Sequence, residues 1–212
     1  AQDGKLRVVT TTRTRGFAHS IYAFDASAES IFDLATGRLL VLSEKSATDN
    51  KKTQTSLAFD YSKQNFLYTN TLQPDRTRTL PLPAGDPLDL ITSLLQTRTW
   101  DIPVGGHRDI LAIFDDELYE LTVYAERFEE VSTPLGTFNA LVLVPKMEKG
   151  PPKGMFKRGS SVRVWIAQDE RRLPVRFKVD FKFGAGTATL VQYEPPTAPV
   201  PAAPNHAPNP RP

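Results

Sequence analysis

The stretch DPLDLITSLLQ, residues 86–96, decides the fold, because no other segment of the chain has a convincing helical pattern. Its Asp-Pro start suits a helix N-terminus, since the aspartate caps free N–H groups and proline fits the first helical position. Leu88, Ile91 and Leu95 share one face at the spacing i, i+3, i+7. We therefore predict one helix over residues 86–97 that buries this apolar face.

The polar residues of the same stretch predict where the helix faces solvent. Asp89, Thr92, Ser93 and Gln96 fall on the other side of the helical pattern. A helix this short is not stable alone in water, so its apolar face must lie on another element. The surrounding strands are expected to form a sheet that supplies this element, with the helix packed inside the curve of the sheet.

The rest of the chain alternates with the period of β-strands. The longest alternation points Val175, Phe177, Val179, Phe181 and Phe183 to one side. Gly184, Ala185 and Gly186 are expected to form the last hairpin turn. The predicted strands cover residues 5–14, 29–34, 38–46, 53–60, 66–72, 107–114, 119–126, 138–145, 162–166, 175–183 and 187–193. This order predicts a mainly β fold, a strongly curved antiparallel sheet (half-barrel or open barrel) wrapped around one helix.

Composition predicts one domain and a tail. With 212 residues and 40% apolar content, the chain can form one sizeable core, which we assign to residues 1–194. Residues 195–212, PPTAPVPAAPNHAPNPRP, contain eight prolines and few groups that could be buried. They predict a disordered or polyproline II tail.

Several functional classes are disfavoured by composition. A formal charge of +2 gives no electrostatic reason to expect a nucleic-acid partner, and no window is long and apolar enough to span a membrane. The chain has no cysteine, which excludes disulfides and thiolate chemistry. His19, His107 and His206 are far apart and form no metal motif. We expect no metal, no cofactor and no catalytic residue, and therefore no enzyme.

A basic stretch gives the one candidate ligand site. Between residues 153 and 182, basic side chains outnumber acidic ones. Arg163, Trp165, Arg172 and Arg176 are the candidate ligand-binding residues, with the indole stacking on an anionic or sugar-like ligand and the guanidinium groups bridging its oxygens. The alternative is a solvated strand face that protects a sheet edge.

Blocks of sequence in a fixed order resemble a known family. They are DPLDLITSLLQTR at 86–98, IPVG at 102–105, YELTV at 119–123, TPLGTFNALVLVP at 133–145 and MFKRGSSVRVWIAQDERRLPVRF at 155–177. On these blocks the chain resembles the bacterial domain of unknown function 3108. The resemblance implies an exported, β-rich protein of the periplasm of a Gram-negative-type bacterium, with no assigned reaction.

The start of the chain departs from that family. Its members usually open with an extra pair of strands that has no counterpart before Lys5. The strand at residues 5–14 would then have an open edge, which predicts self-association by edge pairing.

Together these observations favour a non-enzymatic periplasmic protein of the cell envelope. A curved sheet with an apolar inner face and one helix is expected to enclose a hollow for a lipid or glycan ligand. The alternatives are a structural or assembly factor that acts through protein contacts, and a hydrolase whose groups come together from separate strands.

Overall fold

A computed structural model of the chain describes residues 4–14, 23–182 and 184–195, with the side chains of Leu90 and Ile91 left out. The first half forms a meander of six strands, each antiparallel to the one before it in the chain. These strands are β1 (Lys5–Arg13), β2 (Phe24–Asp33), β3 (Leu39–Thr48), β4 (Lys52–Asp60), β5 (Asn65–Asn70) and β6 (Arg78–Pro81).

The second half forms a seven-stranded sheet around the helix α1 (Leu90–Gln96). Its first strand is only two residues long and pairs in parallel with the next strand, and all its other pairs are antiparallel. The strands are β7 (Leu88–Asp89), β8 (His107–Phe114), β9 (Glu117–Thr133), β10 (Gly136–Lys146), β11 (Ser161–Ala167), β12 (Pro174–Phe181) and β13 (Gly184–Thr189). Short 3-10 turns occupy Pro74–Arg76, Thr97–Thr99 and Gly154–Phe156.

The predicted mainly β fold with a strongly curved sheet is confirmed, and within the described residues the strands divide into two sheets beside one short helix. The division follows a run of prolines, because Pro81, Pro83 and Pro87 lack the N–H that a central strand must donate. Register shifts at Ile31/Phe32, between β2 and β3, and at Val142/Leu143, between β9 and β10, contribute to the curvature.

The two sheets share a core. The inner face of the first sheet carries large side chains that solvent barely reaches, among them Leu42, Leu57 and Tyr68. Leu88 of β7 and Ile113 of β8 pack into the same cluster. The beginning of the second sheet therefore closes the concave side of the first.

The second sheet is buried on both faces. On its inner face, Trp100 packs on residues of β9, β10 and β11, with Leu94 of the helix beside it. On its outer face, Trp165 packs with Val142 and Phe138, and the segment after β13 covers them with Leu190 and Tyr193.

The helix is shorter than predicted and turned differently. Leu88 lies in a strand, so the helical period cannot be counted through it, and Leu95 is 40% exposed. The predicted polar face is largely buried instead, at Asp89, Thr92 and Ser93. The predicted burial of Ile91 concerns a side chain outside the described residues.

The last hairpin also differs from the expectation. The glycine segment predicted as a turn is the start of β13. The register shift between β11 and β12 makes Val175 an extra residue, so it packs in the outer cluster while Phe177 packs in the inner one. Phe181 is 52% exposed, whereas Phe183 and all of the predicted tail over 195–212 except its first residue lie outside the described residues.

Candidate ligand-binding cleft

A cleft lies between the inner face of the second sheet, the helix and the long connection from β10 to β11. We call it the inner cleft. Its empty volume is about 450 Å³ with the open mouth included, but the centre of a water-sized molecule can occupy only about 40 Å³. It is lined by Ser93, Leu94, Thr97, Trp100, Ile110, Leu121, Val123, Leu143, Pro145, Met155, Phe156, Val162, Val164 and Phe177.

The lining of the inner cleft has no charged side chain. Its hydroxyl groups belong to Ser93 and Thr97, and the Thr97 hydroxyl already donates to the Leu94 carbonyl at 2.6 Å. Such a narrow apolar space offers a bound molecule few hydrogen-bond partners.

Trp100 is the largest side chain of the lining. It is 3% exposed, and the guanidinium carbon of Arg108 lies 5.1 Å from the centre of its ring. Arg172 donates through Nη2 to the Trp100 carbonyl at 2.5 Å. The indole Nε1 is buried, with no hydrogen-bond partner within the described part of the chain. The Nε1 of Trp165 and the Nε of Arg172 are also buried without a partner in this part of the chain, so the feature is not confined to the inner cleft.

A wider groove adjoins the inner cleft, and Ile110 and Leu121 line both. We call it the polar groove. It has an empty volume of about 1100 Å³ with the open mouth included. Charged residues line it, namely Asp86, Arg108, Asp109, Glu120 and Lys149. The apolar inner cleft therefore lies beside a polar groove.

The connection from β10 to β11 closes one side of the inner cleft with Met155 and Phe156. The connection lies close to Tyr119 at Gly154, where an added Cβ would be 2.7 Å from the hydroxyl oxygen of Tyr119. Burial, followed by the hydrogen bond to Glu117, raises the pKa of Tyr119 to about 12, so this hydroxyl stays neutral. The ammonium group of Lys153 lies 4.7 Å from the centre of the same ring, so this loop is anchored on Tyr119.

A second polar feature lies where the two sheets meet. We call it the acidic cluster, formed by Glu44 of β3, Asp89 of β7 and Asp115 of the β8–β9 turn. Asp89 is 4% exposed and accepts hydrogen bonds from the Ser30 hydroxyl at 2.8 Å and from the Thr92 hydroxyl and N–H at 2.5 and 3.0 Å. These bonds tie β2, β7 and the start of the helix together.

Glu44 is the most perturbed acid of this cluster. Burial raises its pKa to about 7, and the charges of Asp115 and Asp89 add to the rise, whereas a hydrogen bond from the Asp115 N–H opposes it. Neighbouring groups complete the network, because Tyr68 donates to Asp115 and accepts from the Asn70 amide. A carboxyl with such a pKa can exchange a proton near neutral pH.

The four sequence-predicted site residues do not come together at either cavity. Arg163 and Trp165 lie on the outer face of the second sheet, and Arg176 stacks over the Trp165 ring. Trp165 is 4% exposed, so its ring offers no open stacking surface, and Arg163 pairs with Asp180 at 3.1 Å. Arg172 alone approaches the inner cleft, through its bond to the Trp100 backbone.

Sequence reasoning missed Trp100, Arg108, Glu44 and Asp89. A signal existed for Trp100, a large aromatic residue two positions before the IPVG turn, but its place over the second sheet depends on how the chain leaves the helix. The acidic cluster has no local signal, since its partners come from strands far apart in sequence. Among the described residues, no group of three His, Cys, Asp or Glu side chains could hold a metal ion.

The described residues define a class of protein by their geometry: a mainly β fold with a strongly curled half-barrel sheet, a second sheet and, within those residues, one short helix that borders an apolar cleft. The chain belongs to the family described as "Protein of unknown function (DUF3108)", whose model matches residues 1–191. The family assignment made from the sequence is thus confirmed.

Among solved structures, the chain is similar to a β-barrel-like protein of the domain of unknown function DUF1849 from Brucella abortus. The identity is 8%, the TM-score is 0.53, and the match covers 88% of this chain and 80% of that one. This likeness concerns the fold alone. No curated protein matches the chain. Within the part of the chain that the structure describes, no helix has the length and apolar character needed to cross a membrane.

Proposed function

We propose that this protein is a non-enzymatic binding protein of the bacterial cell envelope that holds the apolar chain of a lipid in its inner cleft. The observation that carries the proposal is the narrow space beside Trp100, which is lined without charges. Protein interiors are normally packed with few voids of this kind, so an open apolar cleft is a candidate binding site.

A lipid fits this cleft better than a glycan does. Binding a sugar requires convergent polar groups, and the hydroxyl groups of the lining are those of Ser93 and Thr97 alone. The gain from transferring a hydrocarbon chain out of water is about 0.8 kcal/mol for each buried CH₂ group.

A binding role is also favoured over hydrolysis. Neither the inner cleft nor the polar groove is lined by Glu44, Asp89 or Asp115, so the proton exchange available to Glu44 is remote from the space where a ligand fits. The inner cleft has no carboxylate or imidazole that could activate the Ser93 or Thr97 hydroxyl.

The proposed location is the periplasm, and its support is the sequence resemblance to exported envelope proteins. Fractionation of cells that produce the protein from its complete gene tests this point. Recovery in the periplasmic fraction together with a periplasmic marker is expected, and recovery with a cytoplasmic marker would refute the location.

The two tryptophans allow a direct test of the binding site, because Trp100 lies in the inner cleft and Trp165 on the opposite face of the same sheet. Trp165→Phe leaves Trp100 as the reporter, and Trp100→Phe leaves Trp165 as its matched control. We expect 1-monolauroylglycerol, titrated below its micelle concentration, to change the Trp100 emission in a saturable way.

The control variant should show little change in Trp165 emission even if it still binds the lipid. A saturable response of Trp165 alone would move the site to the outer face. Absence of a response in both folded variants, with no binding of the wild type by calorimetry, would refute the proposed function.

A second candidate function, self-assembly, is favoured by strand β1. It is the terminal strand of the first sheet, and Leu6 and Val9 on it are 42% and 52% exposed. An exposed strand edge can pair with another copy of the chain. Light scattering over a concentration series tests this, with a mass that rises with concentration supporting self-assembly and a constant monomer mass opposing it.

A further inference from the structure

The side chain of Arg108 stands at the junction between the inner cleft and the polar groove. It lines the groove, and its guanidinium group lies over the ring of Trp100, which lines the cleft. We propose that the bound lipid is an amphiphile with a single chain and an anionic head, and that Arg108 binds this head while the chain fills the inner cleft. The proposal rests on the proposed function and specifies its ligand.

Arg108 has a charge that no acidic group neutralises by contact. Within residues 4–14, 23–182 and 184–195, its side chain makes no ion pair or hydrogen bond, and its one described contact is with Trp100. An arginine whose guanidinium group stacks on an indole ring keeps most of its N–H donors available for other hydrogen bonds. Such a group is suited to a carboxylate or phosphate, whose oxygens it can bind in a bidentate way.

The other charges of the groove are largely compensated. Asp86 pairs with Arg38 at 2.9 Å, and Asp109 pairs with Lys149 at 2.6 Å. Glu120 is exposed and lies close enough to Lys149 to raise the pKa of that lysine in part. Lys149 faces two carboxylates, so these groups carry one negative charge in excess. Arg108 is the cation of the groove that none of these carboxylates contacts.

The indole Nε1 of Trp100 is buried from solvent, so the donor that a ligand in the groove can reach at this junction is the guanidinium group of Arg108. A ligand with acceptor oxygens at one end of an apolar chain would suit both the arginine and the apolar cleft. The small free space inside the cleft favours one chain over two.

The test compares ligands that share a chain and differ in the head. Laurate, lauroyl lysophosphatidate and 1-monolauroylglycerol carry the same chain with a carboxylate, a phosphate or an uncharged head. Dissociation constants measured by calorimetry below the micelle concentrations should be lower for at least one anionic ligand than for the neutral one. Which anion binds best distinguishes a fatty acid from a phospholipid source.

Arg108→Gln should weaken binding of the preferred anionic ligand about tenfold, the expected loss of one charge-assisted hydrogen bond, and leave 1-monolauroylglycerol unchanged. Arg108→Lys should retain part of the anion preference, because it keeps the charge. Arg13→Gln, on exposed strand β1 of the other sheet, is the matched control and should bind all three ligands like the wild type.

Equal affinities of the wild type for the three heads would overturn the anionic head and leave the proposed function standing. An unchanged anion preference in folded Arg108→Gln would overturn the role of Arg108. If no ligand binds the wild type, the proposed function itself fails. If Arg108→Gln fails to fold, the wild type is measured at high salt instead. The proposal is supported if high salt abolishes the preference for the anionic ligand and leaves binding of the neutral ligand unchanged. It is opposed if the preference persists.

Discussion

The acidic cluster and the inner cleft are both interior regions, but they differ in whether their buried polar groups have hydrogen-bond partners. In the cluster, Asp89 accepts hydrogen bonds from Ser30 and Thr92, and Glu44 accepts one from the Asp115 N–H. In the cleft, the Trp100 Nε1 has no partner within the described residues. A region that satisfies its buried polar groups contributes to stability, whereas a buried donor without a partner costs free energy.

The largest expected effect is on the acidic cluster. Asp89→Ala leaves the Ser30 hydroxyl and the Thr92 N–H without their acceptor, and leaves the Thr92 hydroxyl only the backbone carbonyl of residue 89, so we expect the free energy of unfolding to fall by about 3 to 5 kcal/mol. Urea unfolding measures this effect. Asp25→Ala, which breaks an exposed pair with Arg13, is the control and should cost less than about 1 kcal/mol. Similar losses in the two variants would contradict the structural role of the cluster.

The pH dependence of stability tests the same cluster through Glu44. Its pKa is about 7 in the folded protein, above its ordinary value of 4.5, so the folded state binds this proton more tightly than the unfolded state. The free energy of unfolding should therefore decrease as the pH rises from about 4.5 through about 7, by up to about 3 kcal/mol, and then level off.

Glu44→Gln removes this titration and serves as the comparison. Its unfolding free energy should vary less over the same pH range, and above pH 7 it should exceed that of the wild type. Denaturant unfolding at several pH values, from about 4 to 8, measures both curves. Parallel curves for wild type and variant would show that Glu44 is not the titrating group.

An effect of intermediate size is expected at the loop beside the inner cleft. Gly154 has φ of +55° and touches Tyr119, so Gly154→Ala should lower the free energy of unfolding by about 2 kcal/mol and displace Phe156 from the cleft. Gly159→Ala in the same loop is the control, because its φ is +83° but its Cβ would meet open space. Thermal unfolding and lipid affinity measure the two consequences.

That loop variant separates the two regions. It should weaken lipid binding while leaving the pH dependence set by Glu44 unchanged, since the loop does not touch the acidic cluster. An equal cost for Gly159→Ala would mean that backbone strain, and not the contact with Tyr119, explains the loss.

The smallest effect is expected on the outer face of the second sheet. Arg176→Gln removes the cation over Trp165 and the bond to the Ser132 carbonyl, both on the face away from the inner cleft. We expect lipid affinity to change less than twofold by calorimetry. A tenfold loss would support the ligand site that the sequence predicted for Arg163, Trp165, Arg172 and Arg176.

Much of the fold could be predicted because strand alternation is local. The strand over His107–Phe114 and the turn that follows at Asp115 and Asp116 lie where the sequence predicted them. The helix was found, but its buried side was not, since the first residue of its apolar stripe, Leu88, belongs to a strand. A period counted across two kinds of secondary structure gives the wrong face.

The sites were harder to predict because they form from distant segments. Asp89 looked like a solvent-exposed helical residue, and only the packing of β7 against the first sheet brings the Ser30 hydroxyl to it. Trp165 looked exposed because its neighbours are basic, yet the segment after β13 covers it. Periodicity shows which residues share a face of a strand, but not which element covers that face.

The hydrogen bond between Ser30 and Asp89 has a consequence for the order of folding. It joins residues 59 positions apart, so it can form only after both sheets have gathered, and contacts of this separation form slowly. We expect it to be absent from the transition state, in which case loss of Asp89 should accelerate unfolding and hardly retard refolding. The lifetime of the assembled molecule, more than the speed of its assembly, would then depend on this carboxylate.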